Sequence, residues 1–418
     1  MEELANSAPF TRRILVTGGA GFIGSHVVIH LVKTYPRYYI VNLDSLDYCS
    51  CVRNVHTAFE SAPNFQGTRS NSKDSDSNEC DDDDDKSGDE DDDEDEVGVR
   101  LRGSFCEWDI AHGTPGSPRH LPKNYKFIKG DITSADLIEY ILCTEKIDTI
   151  LHFAAQSHVD NSFGNSIQFS QTNIIGTHVL LEEARIHGKI QRFIHVSTDE
   201  VYGEGQAHTT AMLEDHALEP TNPYAATKAG AEFLVKAYQR SFKLPTIITR
   251  SNNVYGPHQY PEKLVPKFIN QVIRRYPLTI HGDGTNTRNY LYISDVVAAF
   301  DLILHQGTIG EIYNIGGQNE LSNKQVALDI LRLMNSSAAA SVLLDHMISN
   351  VSDRPFNDMR YTIDSTKLRA IGWSERVSWE EGLKKTIKWY RRHGHRFGNI
   401  EHALAAHPGA FRKTYQLA

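Results

Sequence analysis

Five residues stand out by type and spacing. Ser197-Thr198-Asp199-Glu200-Val201-Tyr202-Gly203 sets a hydroxyl, Thr198, before two adjacent carboxylates, Asp199 and Glu200. Tyr224 and Lys228 follow, four residues apart. At helical spacing the phenol and the ammonium share one face. A neighbouring cation favours phenolate and lowers the phenol pKa, which makes Tyr224 a base able to take a proton from an alcohol. Two carboxyls of unequal pKa can then divide the roles of acid and base.

Several elements must bring these residues together. Phe193-Ile194-His195-Val196 reads as a buried strand that opens into a loop at the triplet, and ligands bind at that edge of an open α/β sheet. Thr221-Asn222-Pro223 starts a helix that carries Tyr224 and Lys228 to about Phe242, with Thr221 or Asn222 as cap and Pro223 in the first turn. Far upstream, Arg12 to Thr17 is a short apolar strand and Ser25 to Lys33 a helix. Between them Gly18, Gly21 and Gly24 form a turn, with Phe22 and Ile23 inside it. Such a turn lets backbone approach a pyrophosphate and aims a helix N-terminus at its charge. The next strand, Tyr39 to Leu43, ends in Asp44, where an acid holds a ribose 2′-hydroxyl and repels a 2′-phosphate. That predicts NAD rather than NADP.

Further along, Asp131, with Ile132 beside it, ends a strand from Tyr125 and is placed to touch the adenine. Ala154 and Ala155, after Thr149-Ile150-Leu151-His152-Phe153, leave room for a flat cofactor. His152 reads as a packed core residue. Gln156-Ser157-His158-Val159-Asp160 then leads toward the site, and helical periodicity returns from Ile167 to Ala184. Strands and helices alternate to Arg250, which calls for a Rossmann-type doubly wound parallel sheet. Beyond Arg250 the units shorten, and residues 251–395 read as a smaller C-terminal substrate-binding lobe. Helices are predicted at Leu264 to Arg275, Ser294 to Leu304, Ser322 to Asn335 and Trp379 to Arg392. Arg288 and Arg354 are candidates to clamp a diphosphate.

The chain has 418 residues and a net charge of −10, unevenly spread. Asp74 to Glu96 alone carries −15, which leaves the rest at +5. A mildly basic body suits phosphorylated ligands and shows no nucleic-acid stripe. Residues 57–120 read as a disordered acidic insertion in the 12–250 domain, with Ser87 a possible kinase target. Residues 1–11 and 396–418 read as a disordered N-terminus and a tail. The five cysteines, Cys49, Cys51, Cys80, Cys106 and Cys143, fit no metal pattern and read as free thiols. With neither a signal sequence nor a membrane span in view, a soluble cytoplasmic protein is the expectation.

Taken together, Thr17-Gly18-Gly19-Ala20-Gly21-Phe22-Ile23-Gly24 and Tyr224-x3-Lys228 resemble an extended short-chain dehydrogenase/reductase. Ser197 to Gly203 narrows the resemblance to the dTDP-glucose 4,6-dehydratase family. His152 to Asp160, Pro261-Glu262-Lys263, Asp353-Arg354-Pro355 and Asp358 with Arg360-Tyr361 support it. Asn253-Val254-Tyr255-Gly256-Pro257 and Asn357 to Tyr361 look closer to the animal-type members. Gln156, Phe356, Asn357 and Met359 depart from the usual bacterial residues.

The resemblance implies a nucleotide-sugar substrate, bound NAD and a homodimer built from the helices around Ile167 to Ala184 and Tyr224 to Phe242. It implies that Tyr224 takes the 4-hydroxyl proton with help from Thr198, while Lys228 tunes Tyr224 and holds the nicotinamide ribose. Hydride leaves C4 for NAD, Glu200 removes the C5 proton, Asp199 protonates the departing 6-hydroxyl, and hydride returns to C6. Ser157, His158, Asn253, Glu262, Lys263, Arg288 and Arg354 are the implied substrate contacts. The rival readings are a nucleotide-sugar 4-epimerase or UDP-glucuronate decarboxylase on the same fold, and a non-catalytic regulatory protein using the acidic loop. Epimerases usually lack the Asp-Glu pair, and decarboxylases typically keep only the Glu.

Overall fold

The computed structural model describes residues 9–60, 121–204, 211–334, 347–353, 358–360 and 362–405. Arg354, Ser87 and the acidic run Asp74 to Glu96 lie outside them, as does most of the expected insertion. Helix Arg53–Glu60 covers that insertion's first four residues, which are helical rather than disordered.

Six strands alternate with helices: β1 (Arg12–Thr17), β2 (Tyr38–Asp44), β3 (Tyr125–Lys129), β4 (Thr149–His152), β5 (Arg192–Thr198) and β6 (Thr246–Ser251). Then come β7 (Asn253–Tyr255), β8 (Leu278–His281), β9 (Thr287–Tyr292), β10 (Ile312–Ile315), β11 (Asn319–Ser322) and β12 (Ile348–Val351). The main sheet has seven strands in the order β10-β6-β5-β4-β1-β2-β3, all parallel. The order reverses at β1, which pairs with both β2 and β4. The crevice at such a reversal is where doubly wound sheets bind ligands. Because both faces are covered by helices, successive residues in the central strands are apolar and buried: Ile14 and Leu15, Ile150 and Leu151, Phe193 and Ile194.

The smaller elements, β11-β9-β7 and β12-β8, stand where the lobe was expected. One feature departs from that division. β10 lies in the stretch assigned to the lobe, yet it pairs with β6 and closes the edge of the main sheet. Helix Ile293–Gln306 likewise packs on helix Phe22–Thr34, the one that follows the glycine turn. A four-residue strand such as Ile312–Ile315 carries no local signal of which sheet it will join.

The expected tail is also ordered in its first part. Helix Glu401–Leu404 and the adjoining Ile400 bury Ile400, Ala403 and Leu404. The carbonyls of Leu404 and Ala405 accept from Gln271 Nε2 at 3.0 Å and Lys267 Nζ at 2.8 Å, both on helix Leu264–Ile273.

Candidate active site

The glycine turn follows β1 at the reversal point. Gly18 has φ +70°, a left-handed conformation natural to glycine, and a Cβ there would meet Ala154 N at 2.6 Å. A Cβ on Gly24 would collide with the Gly18 carbonyl. The turn can therefore close only with bare backbone. Asp44 caps the end of β2: its Oδ2 accepts from Ala20 N at 2.9 Å, and its Oδ1 from Leu46 N at 2.8 Å and Ser50 Oγ at 3.0 Å. Burial raises its pKa.

The triplet ends β5. Thr198 caps the short turn Asp199–Tyr202, accepting from Glu200 N at 3.3 Å. Asp199 is buried; its Oδ1 accepts from Thr198 Oγ1 at 3.2 Å and its Oδ2 from Asn252 Nδ2 at 2.6 Å. Burial, then the Glu200 charge, push its pKa up to about 7, against hydrogen bonding from Asn252 and the pull of Arg288. Glu200 is less buried, and its Oε2 accepts from Asn222 Nδ2 at 3.0 Å. Asn222 also caps helix Pro223–Phe242 through Oδ1, which accepts from Ala225 N at 2.8 Å. One side chain thus fixes both the start of the Tyr-Lys helix and the second carboxylate.

Tyr224 and Lys228 are both buried on that helix. Lys228 Nζ donates to the Val196 carbonyl at 2.6 Å, and burial lowers its pKa to about 8. The expectation that Lys228 would draw the phenol pKa down is not met. Burial and the Glu200 carboxylate push Tyr224 above its ordinary value, with a hydrogen bond to Thr198 working the other way. Two carboxyls and desolvation outweigh an ammonium that is turned toward a backbone carbonyl.

The helical run before β5 is broken in type: Ser166–Phe169, then a π-helical stretch Ser170–Gly176, then Thr177–His187. The wide turn aims Asn173 inward, where Oδ1 accepts from Gln156 N at 2.8 Å and Nδ2 donates to Thr227 Oγ1 at 2.9 Å. His152 is a satisfied core residue as expected, between Thr17 Oγ1 at 2.8 Å and Thr177 Oγ1 at 2.9 Å.

One cavity of about 770 Å³, within the usual range for small-molecule sites, joins these parts. Its wall includes Gly18, Gly21, Phe22, Ile23, Gly24, Asp44, Asp131, Ile132, Ala154 and Ala155 at one end. Ser157, His158, Thr198, Glu200, Tyr224, Lys228, Asn253, Glu262, Lys263 and Arg288 line the rest. Asp199 is not on the wall; it sits one hydrogen bond behind it, at Thr198. Asp131 Oδ1 accepts from Thr133 N and Oγ1, both at 2.8 Å. Lys263 Nζ donates to the Ser157 carbonyl at 2.7 Å, and Arg288 Nη1 to the carbonyls of Thr287 and Asp358 at 2.7 and 2.8 Å. Glu262 accepts from Tyr48 Oη at 2.9 Å on both oxygens, with His158 Nδ1 3.9 Å away. Burial raises its carboxyl to about 7. Tyr48, Asn173 and Asn252 were not singled out from the sequence, and Asn222 only as a helix cap, because each of these contacts joins residues distant in the chain. Among the described residues no group of His, Cys, Asp and Glu is arranged to hold a metal ion.

The strand order, the glycine turn and the Tyr-Lys helix together define a protein of the short-chain dehydrogenase/reductase type. Residues 92–386 match the family described as GDP-mannose 4,6 dehydratase, and the chain belongs to that family. It is 41% identical to the human dTDP-D-glucose 4,6-dehydratase, over 96% of this chain and 95% of that protein. It is 47% identical to an Arabidopsis thaliana protein named trifunctional UDP-glucose 4,6-dehydratase/UDP-4-keto-6-deoxy-D-glucose 3,5-epimerase/UDP-4-keto-L-rhamnose-reductase. That match covers 95% of this chain, which spans about half, 50%, of the plant protein. A dTDP-glucose 4,6-dehydratase from Streptomyces venezuelae, solved with NAD bound, superimposes with a TM-score of 0.70 at 34% identity, covering 91% of this chain and 98% of the other.

Proposed function

We propose that this chain is an NAD-dependent hydro-lyase that converts a nucleoside-diphosphate hexose, dTDP-glucose or UDP-glucose, into its 4-keto-6-deoxy derivative. The observation that carries this reading is a pair of unlike carboxyls, Asp199 and Glu200, beside Tyr224 and Lys228 at a cavity that also holds the glycine turn. Oxidation of an alcohol alone uses the Tyr and the Lys and leaves the two carboxyls without work. The bare-backbone turn fits a dinucleotide. Gly18, Gly21, Phe22, Ile23, Gly24, Asp44, Asp131, Ile132, Ala154 and Ala155 would hold it, with Tyr224 and Lys228 at its nicotinamide end. NAD supplies a hydride acceptor for sugar C4 and, once reduced, a hydride donor for C6.

The chain's own residues do the rest. Tyr224, which first gives up its own phenolic proton to solvent, takes the 4-hydroxyl proton while Thr198 holds that oxygen. The C4 ketone acidifies the C5 proton, and Glu200, steadied by Asn222, removes it. Asp199 keeps its own proton to about pH 7, and Thr198's hydroxyl bridges it to the cavity. That proton goes to the 6-hydroxyl as the C6–O bond breaks and water leaves. Glu200 then returns its proton to C5. Ser157, His158, Asn253, Glu262, Lys263 and Arg288 are the proposed sugar and diphosphate contacts; Arg354 keeps its proposed role from the sequence alone.

Separate incubations with the two nucleotide sugars, and a third with UDP-glucuronate, with products weighed by mass spectrometry, test the proposal. Loss of one water from either supports it. Loss of carbon dioxide from UDP-glucuronate, or unchanged mass with C4 inverted, replaces it. Competition between the two sugars at equal concentration identifies the preferred nucleotide, on which the two relatives' names differ. A cytoplasmic homodimer belongs to the same proposal. Cys49 and Cys143, free thiols, suit a reducing compartment. Exposed Ile167, Ile175 and Phe233 on packed helices suit a subunit interface.

A further inference from the structure

Arg250 heads the fully buried side chains by size. Its Nε donates to Glu232 Oε1 at 3.0 Å and its Nη2 to Oε2 at 2.6 Å, and neither side chain reaches solvent. Nη1 donates to the Glu214 carbonyl at 3.1 Å. The guanidinium also lies over the Tyr202 ring, 4.6 Å from its centroid, and Tyr202 Oη donates to Asn314 Oδ1 at 2.8 Å. A buried ion pair is weak evidence for stability, because apolar residues of similar volume often serve as well. Its position is more telling. Glu232 stands one turn past Lys228 and two past Tyr224, on the same helical face. Tyr202 ends the turn that carries Asp199 and Glu200. Arg250 thus touches both halves of the proposed chemistry without entering the cavity.

We infer that Arg250 and Glu232 are a positioning pair for the reaction proposed above. Glu232 supports Lys228 from along the helix, and Arg250 ties that helix to the acid-bearing turn. Four groups bear on the charge of Lys228. His152 from β4 and His195 from β5 are both kept neutral by burial, His195 well below its ordinary value. The Val196 carbonyl accepts its proton bond, and Glu232 is the opposite charge that opposes desolvation. Glu232 in turn faces Arg250 and, at 3.9 Å, Lys236. Without Glu232, burial acts on Lys228 unopposed, and the ammonium loses its proton at lower pH.

The test uses Glu232→Gln and the double variant Arg250→Met/Glu232→Met, which removes both charges together so that neither is left buried alone. Lysine labelled with 13C at Cε reports the Lys228 titration by NMR, assigned through Lys228→Arg. In both variants the Lys228 midpoint should fall by roughly one pH unit or more. In the double variant, folded with a melting temperature near wild type, kcat at neutral pH should drop roughly tenfold while KM changes little. A folded double variant with the wild-type midpoint and wild-type kcat overturns the inference and leaves the proposed reaction standing. A wild-type chain that releases no water from either sugar fails the reaction itself, and the NMR midpoint still decides the role of the pair.

Discussion

Two neighbouring carboxyls become unlike through burial, which is deeper for Asp199 than for Glu200. Asp199 turns inward to Asn252 and keeps a proton to about pH 7; Glu200 turns to the cavity and to Asn222. Glu200→Gln should stall the reaction after C4 oxidation, seen as reduced cofactor absorbance that persists with no water lost from the sugar. Asp199→Asn keeps the shape and loses the acid, so kcat should fall roughly a hundredfold. The pH dependence has a definite sign. Because the folded carboxyl holds its proton above its ordinary range, its contribution to stability is full at acid pH and is lost as pH rises through about 7. Asp199→Asn should therefore gain in melting temperature relative to wild type at pH 8, and the gain should vanish near pH 4. At this scale the sequence was informative. Thr198, Asp199, Glu200, Tyr224 and Lys228 declared themselves because their types are chemical and their spacing is local. What it could not reveal was the balance at Tyr224, where burial and two acids prevail over one ammonium.

Helix Pro223–Phe242 shows how an element can carry more than its own geometry. Asn222 starts it with one amide atom and holds Glu200 with the other. Asn222→Ser keeps a good cap and gives up the donor to Glu200. It should melt close to wild type yet lose activity, whereas Asn222→Ala should also lose about 1 kcal/mol of stability in denaturant titration. The cap itself was legible in Thr221-Asn222-Pro223, since capping is a local rule. The π turn at Ser170–Gly176 was not. Apolar periodicity through Ile167 to Ala184 fits either helix type, and the inward Asn173 is explained only by Gln156 and Thr227, far off in sequence. Arg250 and Glu232 escaped for the same reason: a charge read in isolation looks like surface.

At the scale of the molecule, the exposed apolar residues and the path of the chain matter most. Phe233 is 59% exposed on the Tyr-Lys helix, beside the run bearing Ile167 and Ile175. Phe233→Glu should convert the proposed dimer to a monomer in light scattering while the helical signal in circular dichroism is retained; an unchanged mass, or a wild-type chain that is already monomeric, would overturn the proposed interface. The parallel, doubly wound sheet was legible from alternating strands and helices, but its outer edge was not, because β10 arrives after a long excursion through the lobe. That return binds the two regions into one folding event. A chain halted after Ser251 would leave β6 with one flank bare, an open template for wrong pairing, until residue 315 had been made. During synthesis, then, the nascent sheet must wait for the first part of the smaller lobe. A fragment cut at that point should clump rather than fold, and the intact chain should melt in a single step.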